Sequence, residues 1–141
     1  MTIGARIRRY RNEGGMTQRE LADEVGLTES AIRNYERDIR TPGDEQIERI
    51  AEALDVSVDS IREIGVSGAR GALEVLFRYE MELGLVPVVT GDGVAVVPDP
   101  QKDGSQKAAQ ALKAWKRMRD QLAAGEIDEG DYEAWKARFR G

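Results

Sequence analysis

Residues 17–37, TQRELADEVGLTESAIRNYER, read as two short helices joined by a glycine turn. Thr17 opens the first. Its hydroxyl can accept from an orphan amide at the helix start, and Glu20 three residues on can reach back to the Thr17 amide, the reciprocal arrangement of a capping box. Leu21, Ala22 and Val25 then fall on one face. Gly26 stands where the chain must leave the helix through a conformation that a residue without a side chain accepts most easily. Leu27 packs down, and Thr28 caps the second helix. There Ile32 and Tyr35 share the inner face, which turns Glu29, Ser30, Arg33, Asn34 and Arg37 outward. An acid, a hydroxyl, an amide and two guanidinium groups on one outward face carry the donors and acceptors that base edges and phosphates require.

The wider run RIRRYRNEGGMTQRELADEVGLTESAIRNYERDIRTP, continuing through IERIAEALDVSVDSI, resembles the DNA-binding domain of the lambda-repressor-like, or XRE-type, helix-turn-helix regulators of bacteria and phages. The resemblance covers about residues 3–64, with the TQxELA start, the glycine turn, IxxYE, RTP and IAxAL in order. It implies five helices, the second lying across the DNA backbone and the third, about Glu29 to Arg37, entering the major groove. It also implies a partly buried ion pair between Arg11 and Glu36 and a backbone contact by Gln18. The expected DNA-contacting set is Thr17, Gln18, Thr28, Glu29, Ser30, Arg33, Asn34, Arg37 and Arg40. Arg33 and Asn34 are the first choices for base or phosphate contact, Ser30 can approach a base edge, and Arg40 suits a phosphate. Glu29 could accept from a cytosine amino group or simply be an acid favoured at a helix start. The chain departs from the family pattern at Asp38, where glycine is usual, and at Gly43, where a serine cap is usual. Both departures suggest a loosened loop from Asp38 to Gly43.

Around this core, a first helix from about Ile3 to Glu13 turns Ile3, Ile7 and Tyr10 inward, and Gly14 and Gly15 end it. Ile47, Ile50, Ala51 and Leu54 make one face of a fourth helix. A short fifth helix capped by Ser57, with Ile61 and Ile64 inward, closes a domain over residues 1–64.

The charge balance runs against nucleic-acid binding: the net charge is -5 and the pI about 4.9. Its distribution softens this, since residues 1–40 hold eight arginines and seven acids while residues 41–64 hold two arginines and seven acids. If Arg9, Arg19, Arg33, Arg37 and Arg40 gather on one face, the local field is positive. The absence of cysteine and histidine excludes disulfides, thiolate or imidazole metal sites, and catalysis by a thiol nucleophile or imidazole base. No apolar run approaches the ~20 residues of a membrane span and no signal peptide precedes the first helix, so a cytoplasmic protein is expected.

Gly65, Ser67, Gly68 and Gly71 mark a linker over residues 65–71. Residues 72–141 then read as a small α+β region of helix, hairpin and two helices. Leu73, Leu76, Phe77 and Met81 give residues 72–84 more apolar surface than a lone helix can hide. LVPVV and VAVVP flank TGDG as a β-hairpin, with Pro87 and Pro98 pointing to edges or strand ends rather than the middle of a sheet. Ala108, Ala111, Leu112, Trp115, Met118 and Leu122 line one face of a helix from Gln106 to Ala124, whose Lys113, Lys116, Arg117 and Arg119 make a basic run read first as a solvated face and otherwise as a second nucleic-acid contact. In the tail, Asp128 caps a last helix with Tyr132, Trp135 and Phe139 as an aromatic stripe for core or subunit packing; its spacing resembles the short SHOCT motif.

The expected protein is mainly α and not an enzyme, with no cofactor and no metal. It is a dimeric transcriptional repressor of bacterial or phage origin, acting on double-stranded DNA at a pseudo-palindromic operator and held as a homodimer by residues 72–141. The other reading is a protein-interaction module, an antitoxin or antirepressor, supported by the acidic balance.

Overall fold

The computed structural model describes residues 1–63 and 65–140. The chain divides into two units, Met1–Ile64 with Glu133–Arg140, and Gly65–Tyr132.

The first unit carries five helices, α1 (Ile3–Glu13), α2 (Gln18–Val25), α3 (Glu29–Glu36), α4 (Asp44–Ala53) and α5 (Val58–Ile61). Each periodic apolar stripe is buried as its spacing requires: Ile7, Leu21, Ile32, Ile50 and Ile61 are fully enclosed, with Ala22, Val25, Ile47, Ala51, Leu54 and Val56 around them. Ile3 and Tyr10 pack at the margin of this core. Ile64, expected to face inward as well, lies outside the described residues. Two helix starts have the expected caps: Thr17 and Glu20 form the reciprocal box, and Thr28 accepts from the Ala31 amide at 3.1 Å. Gly26 closes α2 in the left-handed region at φ 68°.

The tail joins this unit through contacts that the sequence reading did not foresee. The last helix, Glu129–Arg138, brings Ala137 into the core beside the helix-turn-helix residues. The Ala137 carbonyl accepts from the Ser57 amide at 2.8 Å and from the Ser60 hydroxyl at 2.9 Å. Arg138 and Arg140 reach Asp55 at 3.4 and 3.8 Å, and Arg9 reaches Glu133 at 3.5 Å.

The second unit contains α6 (Gly68–Leu83), β1 (Leu85–Thr90), β2 (Gly93–Pro98) and α7 (Ser105–Ala123). The helix begins at Gly68, so Gly68 and Gly71 are helical residues rather than linker. The two strands pair antiparallel across a Gly91–Asp92 turn, with Leu85 opposite Pro98 and Thr90 opposite Gly93. In a sheet of two strands both are edges, which is where Pro87 is tolerated. At the start of the last helix the Asp131 amide donates to the Asp128 carboxylate at 2.8 Å and the Asp128 amide donates to the Asp131 carboxylate at 3.2 Å. The aromatic stripe separates: the buried Tyr132 hydroxyl accepts from Trp115 Nε1 at 2.6 Å in the second unit, whereas Trp135 and Phe139 meet in the first as a tilted pair, their centroids 5.2 Å apart and their planes at 51°.

Candidate nucleic-acid interface

The outward face of α3 is set by what holds its inner face. Ile32 is fully buried and Glu36, one turn on, is nearly so. Arg11 of α1 clasps Glu36 with two hydrogen bonds, Nε to Oε1 at 2.5 Å and Nη2 to Oε2 at 3.0 Å, and donates from Nη1 to the Met16 carbonyl at 2.7 Å. Gln18, in the first turn of α2, donates to Glu36 Oε2 at 2.7 Å. A single carboxylate thereby joins three helices. Burial opposes its ionisation, but the hydrogen bonds from Arg11 and Gln18 and the charges of Arg11 and Arg8 prevail and hold it below its usual range. The hydrogen bond to Glu36 likewise raises Arg11.

At the base of the same helix, α1 and α3 approach closely at Gly4. A Cβ built there would lie 2.0 Å from the Tyr35 carbonyl oxygen, so only glycine fits. Asp38 follows α3 with φ 55°, a left-handed conformation that costs a residue with a side chain about 1–2 kcal/mol. Its carboxylate compensates by accepting from the Thr2 hydroxyl at 2.8 Å and from the Gly4 amide at 3.3 Å. The expectation that Asp38 loosens the loop is therefore corrected: the aspartate fastens the end of α3 to the start of α1. Gly43, by contrast, starts α4 with no side-chain cap, as expected.

On the open side, Thr17, Thr28, Glu29, Ser30, Arg33, Arg37 and Arg40 are exposed, and Asn34 and Gln18 are half-buried. Glu29 and Arg33 are paired across one helical turn at 2.6 Å, so the first acid and the first arginine of α3 neutralise each other in the free protein. The Asn34 carbonyl accepts from the Ile39 and Arg40 amides at 2.9 and 3.3 Å, which folds the loop back over the end of α3. Arg19, Arg37 and Arg40 make no ion pair among the described residues. Arg9, expected among the gathered arginines, is bound instead to Glu13 at 2.7 Å and to Glu133. Sequence reasoning missed Ile39, 61 % exposed between Arg37 and Arg40. Its signal was an isolated β-branched residue in an otherwise polar loop.

Residues 7–61 match the family described as Helix-turn-helix. Over 60 residues the chain is 38 % identical to the HTH-type transcriptional regulator SinR of Bacillus subtilis, covering 42 % of this chain and 54 % of that protein. Over 61 residues it is 38 % identical to the immunity repressor protein of Bacillus phage phi105, covering 43 % and 42 %. The chain thus spans about half the length of the curated relatives it matches. Among solved structures, SinR in complex with DNA is 38 % identical over 43 % of this chain and 97 % of that one, with a TM-score of 0.41.

Proposed function

We propose that this chain, whose residues 7–61 form an XRE-type helix-turn-helix domain, is a sequence-specific DNA-binding repressor. The observation that supports this most is the division of α3. Ile32 and Glu36 anchor it, while Glu29, Ser30 and Arg33 stand exposed and, among the described residues, show no side-chain ion pair beyond the one between Glu29 and Arg33. Inserted into a major groove, Ser30, Arg33 and Asn34 would meet base edges, and Thr17, Gln18, Thr28, Arg37 and Arg40 would meet the backbone. The Glu29–Arg33 pair would open on binding, Arg33 turning to guanine or phosphate and Glu29 to a cytosine amino group. Ile39 would offer an apolar contact to a thymine methyl.

One such domain makes few contacts and carries little excess positive charge. Two copies, held together by residues 72–141, would read half-sites one helical turn, ~34 Å, apart on a pseudo-palindromic operator and block transcription by occupying it. The protein would act in the cytoplasm and catalyse nothing. No helix among the described residues is long and apolar enough to cross a membrane.

Selecting binding sites from random duplexes with the purified protein tests this reading, since it reports both DNA binding and half-site spacing. A second reading, capture of another regulator through the same face, draws on the net charge of -5 and on Arg33 being already neutralised. It predicts no enriched duplex even at low salt.

A further inference from the structure

The most basic element of the chain is α7, outside the helix-turn-helix. Residues 1–64 hold ten arginines and fourteen acids, net -4, whereas α7 carries Lys107, Lys113, Lys116, Arg117 and Arg119 against the single acid Asp120, net +4. All five cations are exposed. Lys116 is paired with Asp120 at 2.6 Å, and Lys107, Lys113, Arg117 and Arg119 make no ion pair among the described residues. The arginines of α1 are differently placed: Arg6 donates to the Arg62 carbonyl, Arg9 is held by Glu13 and Arg11 by Glu36.

Spacing gathers three of the α7 cations. Lys113, Lys116 and Arg117 stand at i, i+3 and i+4, which makes them neighbours on one side of the helix. Ala108, Ala111, Met118 and Leu122 lie on the other side and are half-buried, in a unit where α7 packs on β2 and α6. That packing turns the three cations outward. A groove of about 630 Å³ lies along them, lined also by Pro98, Ala109 and Leu112. Its two acids, Asp120 and Glu126, lie in and beyond the last turn of the helix.

We infer that this side of α7 is a second contact to duplex DNA, made to the phosphate backbone and blind to sequence. The inference rests on the operator reading proposed above, and three observations select this occupant. First, affinity for a duplex draws on neutralised phosphates, and the unit that reads the bases is itself net negative, so the positive charge it lacks stands on α7. Second, cations beside an apolar groove wall suit a strand in which sugar edges alternate with phosphates, and such contacts carry no base preference. Third, a helix that lies on an anionic membrane offers an apolar face beside its cations, whereas the apolar side of α7 is packed within its own unit. Both contacts belong to one chain, so binding at either raises the effective concentration of duplex at the other.

The test is titration of the full chain, over a series of salt concentrations, with a duplex enriched by selection and with a scrambled duplex. The double variant Lys113→Gln with Arg117→Gln removes the two unpaired cations of the groove. Arg70→Gln with Arg78→Gln, exposed on α6 and paired with Glu74, is the control of equal net charge. The α7 variant is expected to keep its helix content and to bind both duplexes roughly 10–100-fold more weakly near ~0.1 M salt. Its plot of log affinity against log salt should be shallower by about 2, with the preference for the enriched duplex unchanged. The control, and the charge-preserving Lys113→Arg with Arg117→Lys, should bind as the wild type does. An α7 variant with wild-type affinity and salt dependence overturns the inference, and so does a control that loses as much. Loss of binding to phosphatidylserine vesicles with duplex affinity unchanged would assign the face to a membrane surface and overturn it as well. If selection enriches no sequence but duplex binding still depends on α7, the operator reading falls and the backbone contact stands. If the enriched duplex binds the α7 variant at full strength, the operator reading stands and the backbone contact falls.

Discussion

Arg11 and Glu36, 25 residues apart, lie side by side with two hydrogen bonds between them and are almost closed to water. The pair fixes α1 against the end of α3 and so sets which side of α3 faces outward. Arg11→Ala leaves the Glu36 carboxylate buried with only Gln18 to hold it, and should lower the unfolding free energy in urea by about 3–5 kcal/mol. The double variant Arg11→Met with Glu36→Leu should lose less than the two single changes summed, because neither strands a charge. Wild-type stability in Arg11→Ala would refute the role given to the pair.

The same carboxyl sets a pH dependence. Glu36 titrates near 4.5 when unfolded and lower when folded, so its stabilisation is complete above about pH 4.5 and is lost as pH falls through the folded value. The stability gap between wild type and Glu36→Gln, measured by urea titration from pH 7 to pH 3, should therefore be wide at neutral pH and narrow below 4.5. A gap independent of pH would contradict this.

Gly4 has no room for a methyl group. In Gly4→Ala the new carbon would meet the Tyr35 carbonyl, which is backbone and cannot swing away. The helices must separate, at a cost of about 1–3 kcal/mol, which a melting curve would show.

Gly43→Ser should act in the opposite sense. The backbone there already has the extended geometry of a cap, φ -74° and ψ 170°, and the nearest obstacle is the flexible end of Gln46 at 2.7 Å. A gain of a few tenths of a kcal/mol is expected, the difference between glycine and serine at a helix start. A loss would mean that the Gln46 side chain does not move aside.

The tail offers a further test. Ala137→Asp places a charge at a site 4 % exposed, within the buried apolar cluster of the first unit, and should cost about 2–5 kcal/mol. Asp55→Ala, whose partners Arg138 and Arg140 are exposed, should change stability by less than about 1 kcal/mol. A fragment ending near residue 64 would lack Ala137 and the acceptor for Ser57 and Ser60.

The helix-turn-helix was legible because its signals are local. The Thr17 and Thr28 caps, Gly26 and the 3.6-residue apolar stripes act within a turn or two of chain, and the structure places them as their spacing requires. The Arg11–Glu36 pair is long-range and came from family resemblance; periodicity alone would have shown two charges on separate helices. What could not be read were contacts between distant segments that no local rule encodes. Gly4 looks like an unfavourable residue inside a helix until Tyr35 is seen against it. Asp38 looks strained until Thr2 and Gly4 donate to it, and Ala137 looks like any helix alanine. On the candidate interface, side-chain type and exposure were foreseen for most positions, but the pairing of Glu29 with Arg33 was not, although their four-residue spacing permits it. Arg9 was assigned to the positive face, yet Glu133, more than a hundred residues away in sequence, helps to hold it elsewhere.

Binding-site selection from random duplexes at low salt, followed by titration of the enriched sequence with wild type, Arg33→Ala, Asn34→Ala and Arg40→Ala, addresses the central claim most directly. The expected outcome is an enriched pair of half-sites about one helical turn apart. Arg33→Ala and Asn34→Ala should each lose roughly 1–3 kcal/mol of discrimination at one position, and Arg40→Ala should weaken all duplexes alike with a shallower salt dependence. No enrichment, or three variants that bind the enriched duplex as the wild type does, would contradict the assignment of α3 as the element that reads DNA.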